Sequence, residues 1–62
     1  MLELVEFERD QGMATARFRV PSAGNIPKVE RILNSLDFPG QNVNIDQKSK
    51  TVKISFENEA GN

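Results

Sequence analysis

The chain predicts an α+β domain with the element order β-β-α-β-β, and three observations carry that reading. Apolar residues fall on every second position in the runs Val5–Phe7, Ala14–Val20, Val43–Ile45 and Val52–Phe56, the period of strands with one face against a core. Between the second and third runs the period changes to that of a helix, with Ile26, Val29, Ile32, Leu33 and Leu36 on one stripe. Finally, 62 residues with no cysteine and no histidine allow one small domain, without a disulfide or a thiolate–imidazole metal site to stabilise it.

The first strand is expected over residues 2–9, LELVEFER. Asp10-Gln11-Gly12 interrupts its alternation, and Gly12 can supply the positive φ of a tight hairpin. The second strand, residues 13–20, sets Ala14, Ala16, Phe18 and Val20 on one face and Thr15, Arg17 and Arg19 on the other. With Gln11-Gly12 as a two-residue turn, Val5 faces Phe18, Phe7 faces Ala16 and Glu6 faces Arg17, an apolar and oppositely charged pairing that antiparallel strands favour. A three-residue loop would drive Glu6 and Glu8 onto the apolar face. The shorter turn is therefore expected, and it places Leu2 and Leu4 on the outer face beside Arg17 and Arg19.

Pro21-Ser22-Ala23-Gly24-Asn25 reads as a loop. Asn25 or Ser22 can cap the helix that follows, and Pro27 fits only in its first turn, where a missing N–H costs nothing. The helix is expected to stop near Leu36 or Asp37 because Pro39-Gly40 cannot continue it, with Phe38 folding back over the open end of the core. A second hairpin then alternates Val43 and Ile45 with Asn42, Asn44 and Asp46, turns through Gln47-Lys48-Ser49-Lys50, and returns with Val52, Ile54 and Phe56. Residues 1–57 form the single expected domain, and 58–62, polar and aperiodic, a flexible C-terminal tail.

Composition excludes several functions. Eight basic against nine acidic residues, a net charge of -1, leave no basic footprint of the kind that tight nucleic-acid binding normally shows. Arg17, Arg19 and Lys53 are the residues that could contact an anion or nucleic acid, and cross-strand ion pairing on a solvated face is the simpler use for them. No stretch approaches the ~20 apolar residues of a membrane span, and MLELVEFERD lacks the basic start and apolar core of a signal peptide. A cytoplasmic location is the default expectation. Without histidine or cysteine the commonest bases and the best nucleophile are missing, and Asp46 and Glu57 sit at opposite ends of the second hairpin. Ser22 precedes a helix, but Ser-Ala-Gly-Asn lacks the lysine and glycine spacing of a phosphate loop. No catalytic residue, no metal site and no cofactor is expected.

From about Met13 to Glu57 the chain resembles the heavy-metal-associated domain family of small metallochaperones and metal-ATPase modules. Ile26-Pro27-Lys28-Val29-Glu30-Arg31-Ile32-Leu33 is similar to that family's first helix, and Val43-Asn44-Ile45-Asp46 with Ser49-Lys50-Thr51-Val52-Lys53-Ile54 to its hairpin. The family's two metal-binding cysteines would fall on Ser22 and Asn25, neither of which supplies the sulfur that soft metals select. Its second helix and last strand are missing, and an extra strand stands at the front.

The resemblance implies a ferredoxin-like sheet, antiparallel or mixed, of order 1-2-4-3. One helix would lie on one face, the front strand would take the edge of the missing one, and strands 2 and 4 would run parallel in the centre. A sheet about 19 Å wide at ~4.8 Å per strand is broader than a helix of ~10 Å, so part of the apolar face should stay open. The expected contact surface comprises Leu2, Leu4, Val5, Phe7, Phe38 and Phe56, offered to a second copy in a homodimer or to another protein. A non-enzymatic interaction module is the leading expectation. The alternatives are metal-ion binding or heavy-metal handling through oxygen ligands such as Ser22 and Asn25, and weak nucleic-acid binding.

Overall fold

Gln11 and Gly12 reverse the chain with φ of 52° and 80°, the pair of positive values that defines a type I′ hairpin. They join β1 (Glu3–Asp10) to β2 (Met13–Arg19), and the two-residue turn is the one expected. In the computed structural model, which describes residues 2–58, a short 3₁₀ turn (Ala23–Asn25) follows, then α1 (Ile26–Asn34), β3 (Asn42–Asp46) and β4 (Thr51–Glu57). Of the expected tail, 58–62, residues 59–62 lie outside the described residues, and the amide of its first residue, Asn58, donates to the Gly12 carbonyl at 2.7 Å.

The four strands form one open sheet of order β1-β2-β4-β3. Every neighbouring pair is antiparallel, which corrects the expected parallel pairing of the second and fourth strands. The physical reason is the path of the chain. The helix returns it to the end where β2 began, so β3 runs in the direction of β2. The loop at 47–50 then reverses it, and β4, seated between the two, opposes both.

A second correction concerns β1. From Asp10 back to Glu6 the register is the expected one, with Glu6 opposite Arg17 and Phe7 opposite Ala16. It then shifts at Val5, so that Leu4, not Val5, faces Phe18, and Glu3 faces Arg19. Val5 is the extra residue of a β-bulge. Without it, alternation would carry Glu3 onto the apolar face opposite Val20 and leave Leu4 outside. With it, Glu3 pairs with Arg19 at 3.5 Å and Leu4 joins the helix side. Leu2 and Leu4 are thus on the opposite face from the one expected, because the pairing of Glu3 with Arg19, which keeps its carboxylate off the apolar face, opposes the unbroken register.

Neither expected residue caps α1 with its side chain: Ser22 caps the 3₁₀ turn, its Oγ accepting from the Gly24 amide at 3.3 Å, and Asn25, at the N-cap position of α1, makes no side-chain capping bond. Pro27 occupies the first turn. The helix closes at Asn34 with Ser35 as its cap, two residues before the expected stop near Leu36. Asp37 has left the right-handed region with φ of 56°. Gln41 secures that end: its Nε2 donates to the Leu33 carbonyl at 3.0 Å, and its Oε1 accepts from the Phe38 amide at 3.0 Å.

The core is small and aliphatic. Ala14, Ala16, Val20, Ile26, Val29, Leu33, Val52 and Ile54 are buried, and Phe18, Val43, Ile45 and Phe56 pack against them half-buried. None of the buried residues comes from β1. The helix packs over β3 and β4, and β1, the strand farthest from β3, is left uncovered.

Candidate interaction surface

All eight residues of β1 are exposed. Alternation divides them between two faces: Phe7 and Arg9, opposite Ala16 and Ala14, lie on the helix side, as does Leu4 opposite Phe18. Glu3, Glu6, Glu8 and Asp10 lie on the other. Leu4 is 56% exposed, Phe7 54% and Ile32 on the neighbouring flank of α1 54%. A groove of about 230 Å³ lies between the start of α1 and the end of β2, lined by Leu2, Val20, Pro21, Lys28, Val29 and Ile32. Contiguous exposed apolar surface of this kind marks contact sites in small proteins.

The expected contact surface divides in two. Leu2, Leu4, Val5 and Phe7 belong to the bare strand. Phe38 and Phe56 belong elsewhere: their rings stack with centroids 4.6 Å apart and planes 26° from parallel, and Phe56 is separated from β1 by Ala14 on β2. Phe38 therefore does fold back over the end of the core, and Phe56 is half-buried beneath it rather than open. Ile32 was missed as a surface residue because its helical spacing groups it with the buried Val29 and Leu33; only the offset of α1 toward β3 shows that its side is uncovered.

The outer face is polar. Arg17 stands between Glu6 on β1, 3.3 Å away, and Lys53 on β4. Arg19 pairs with Glu3 and faces Thr51. A shallow hollow of about 160 Å³ is lined by Arg17, Asn44, Asp46, Thr51 and Lys53. The bond from the Ser49 amide, above all, holds the Asp46 carboxyl below the ordinary aspartate range, with the Ser49 side chain, the Lys48 amide and the charge of Arg17 acting in the same sense. Arg17 and Lys53 thus share their surface with two carboxylates, Glu6 and Asp46, which weakens any field a phosphate would meet.

Ser22 and Asn25 sit in the 3₁₀ turn, where Ser22 is engaged by the Gly24 amide and its carbonyl by the Asn25 amide at 2.9 Å. Among the described residues no three acidic side chains come together, and no helix is long and apolar enough to cross a membrane. No protein-family profile, curated protein or solved structure matches the chain.

Proposed function

We propose that this chain is a non-enzymatic protein-interaction module that self-associates through the bare helix-side face of β1. The scaffold is the one suggested by the resemblance of its helix and second hairpin to heavy-metal-associated domains, in a form that no longer holds soft metal. The supporting observation is that α1 covers β3 and β4 and leaves Leu4 and Phe7 of β1, and Ile32 on α1 itself, exposed to water. Each Å² of that surface covered on contact contributes roughly 25 cal/mol. Self-contact by this face lets Leu4 and Phe7 of each copy lie over the groove of the other. The strand is about 26 Å long at ~3.3 Å per residue, so the proposed contact is one strand and its flank, and the association is proposed to be weak and reversible.

Sedimentation velocity tests it directly. The average mass is expected to rise with concentration through the micromolar range, and Phe7→Lys to abolish the rise while leaving the secondary structure intact. A mass that stays at that of one chain throughout defeats the reading.

A further inference from the structure

Strand β1 is hydrogen-bonded on one side only, to β2. Its other side carries the unpaired backbone N–H and C=O groups onto which an added strand can pair. The side chains flanking that edge differ in kind: Glu6, Glu8 and Asp10 project to the outer face, Phe7 and Arg9 to the helix side.

The existing neighbour shows what β1 accepts. Strand β2 sets Arg19 and Arg17 against Glu3 and Glu6, at 3.5 and 3.3 Å, and Phe18 and Ala16 against Leu4 and Phe7. Glu8 and Asp10 face Thr15 and Met13 instead, and among the described residues neither carboxylate has an ion pair. A second copy does not fit this edge. Two β1 strands related by a two-fold axis bring residues of the same face opposite one another, so Glu6 and Glu8 would meet Glu6, Glu8 or Asp10 of the other copy. Like charges directly opposite destabilise a strand pair. The other open edge, β3, has five residues and carries Asn42, Asn44 and Asp46 outward.

We infer that the free edge of β1 binds an extended segment of another protein that carries Lys or Arg opposite Glu6, Glu8 and Asp10 and an apolar residue opposite Phe7. Backbone pairing supplies the attachment, and the carboxylate row selects the partner by excluding acidic strands, this chain's own included. The inference stands apart from self-association, which uses the helix-side face and not the edge.

The probe is the peptide Lys-Val-Lys-Val-Lys, titrated into the ¹⁵N-labelled full-length chain, with Lys-Lys-Lys-Val-Val and Glu-Val-Glu-Val-Glu as comparisons. The alternating basic peptide is expected to shift the amides of residues 3–10 and slow their exchange, and to weaken as salt screens the charges. The double variant Glu8→Lys, Asp10→Lys should bind it at least about tenfold more weakly, a change of ~1.4 kcal/mol. Both side chains are exposed, so the variant should keep the remaining spectrum, and Glu30→Lys on the helix, half the change in net charge, controls for a general charge effect, which would give half the loss in free energy. The inference is overturned by shifts confined to β3, by equal binding of the non-alternating peptide, by unchanged affinity in the double variant, or by half that loss or more in Glu30→Lys. Slowed exchange of the β1 amides on simple concentration of the unliganded Phe7→Lys variant, in which the face contact is removed, would show edge-to-edge self-pairing and overturn it as well.

Discussion

Gly40 is required twice over. Its φ of 65° lies in the left-handed region, where a side chain costs roughly 1–2 kcal/mol, and a Cβ there would come within 2.7 Å of Glu57 Oε2. Gly40→Ala is therefore expected to lower the unfolding free energy by about 1–2 kcal/mol, seen as an earlier urea midpoint with an unchanged slope. Combining it with Glu57→Ala should recover only the part due to the contact. Asp46 works differently. Its carboxylate accepts from the Lys48 and Ser49 amides at 3.1 and 3.4 Å, turning the chain into the loop at 47–50, and its pKa is lowered in the folded state, chiefly by the Ser49 amide. A depressed carboxyl binds fewer protons folded than unfolded, so its contribution is fully present above the unfolded value and is lost as the pH falls through the folded one. Urea midpoints measured below about pH 5, approaching the ordinary aspartate value of ~3.9, should fall less steeply with acid in Asp46→Asn than in the parent.

The bulge in β1 makes a prediction at the scale of the element. Deleting Val5 joins Leu4 directly to Glu6 in the register each already holds, opposite Phe18 and Arg17. The shortened strand should therefore keep the Glu3–Arg19 pair, preserve Leu4–Phe18 nuclear Overhauser contacts, and change stability by no more than about 1 kcal/mol, as surface changes do. Loss of those contacts would show that Val5 holds the strand by its own side chain.

The same element marks the limit of what periodicity reveals. The hairpin turn, the helix stripe, both inward faces and the second hairpin are legible in alternation and in Gly12, Pro27 and Pro39-Gly40, because each is decided by neighbours a few positions away. The bulge is not, since Val5 suits either register and the choice is made by Glu3 finding Arg19 across the strands. Likewise Gln41 carries no local signature of closing a helix eight positions earlier. The exposure of the apolar residues of β1 is legible in the sequence, but that of Ile32 is not, since it depends on where α1 lies over the sheet.

At the scale of the molecule, the core contains no buried aromatic side chain, and its largest fully buried residues are Val20 and Val52. A domain of this size has little stability to spare, so anything that binds the folded form should raise it visibly. If two copies associate, the thermal midpoint should climb with protein concentration, following mass action, and Phe7→Lys should make it independent of concentration. Scanning calorimetry at two well-separated concentrations checks this without isolating the dimer.

The arrangement of α1 has one further outcome. Since β1 adds nothing to the buried core and the helix does not reach it, the strand is fastened along a single seam to β2. Peeling it away exposes an inner seam already shaped for a replacement, while the remainder of the molecule keeps its roof. Residues 3–10 are therefore expected to act as a removable hem, their exchange with solvent running ahead of every other strand.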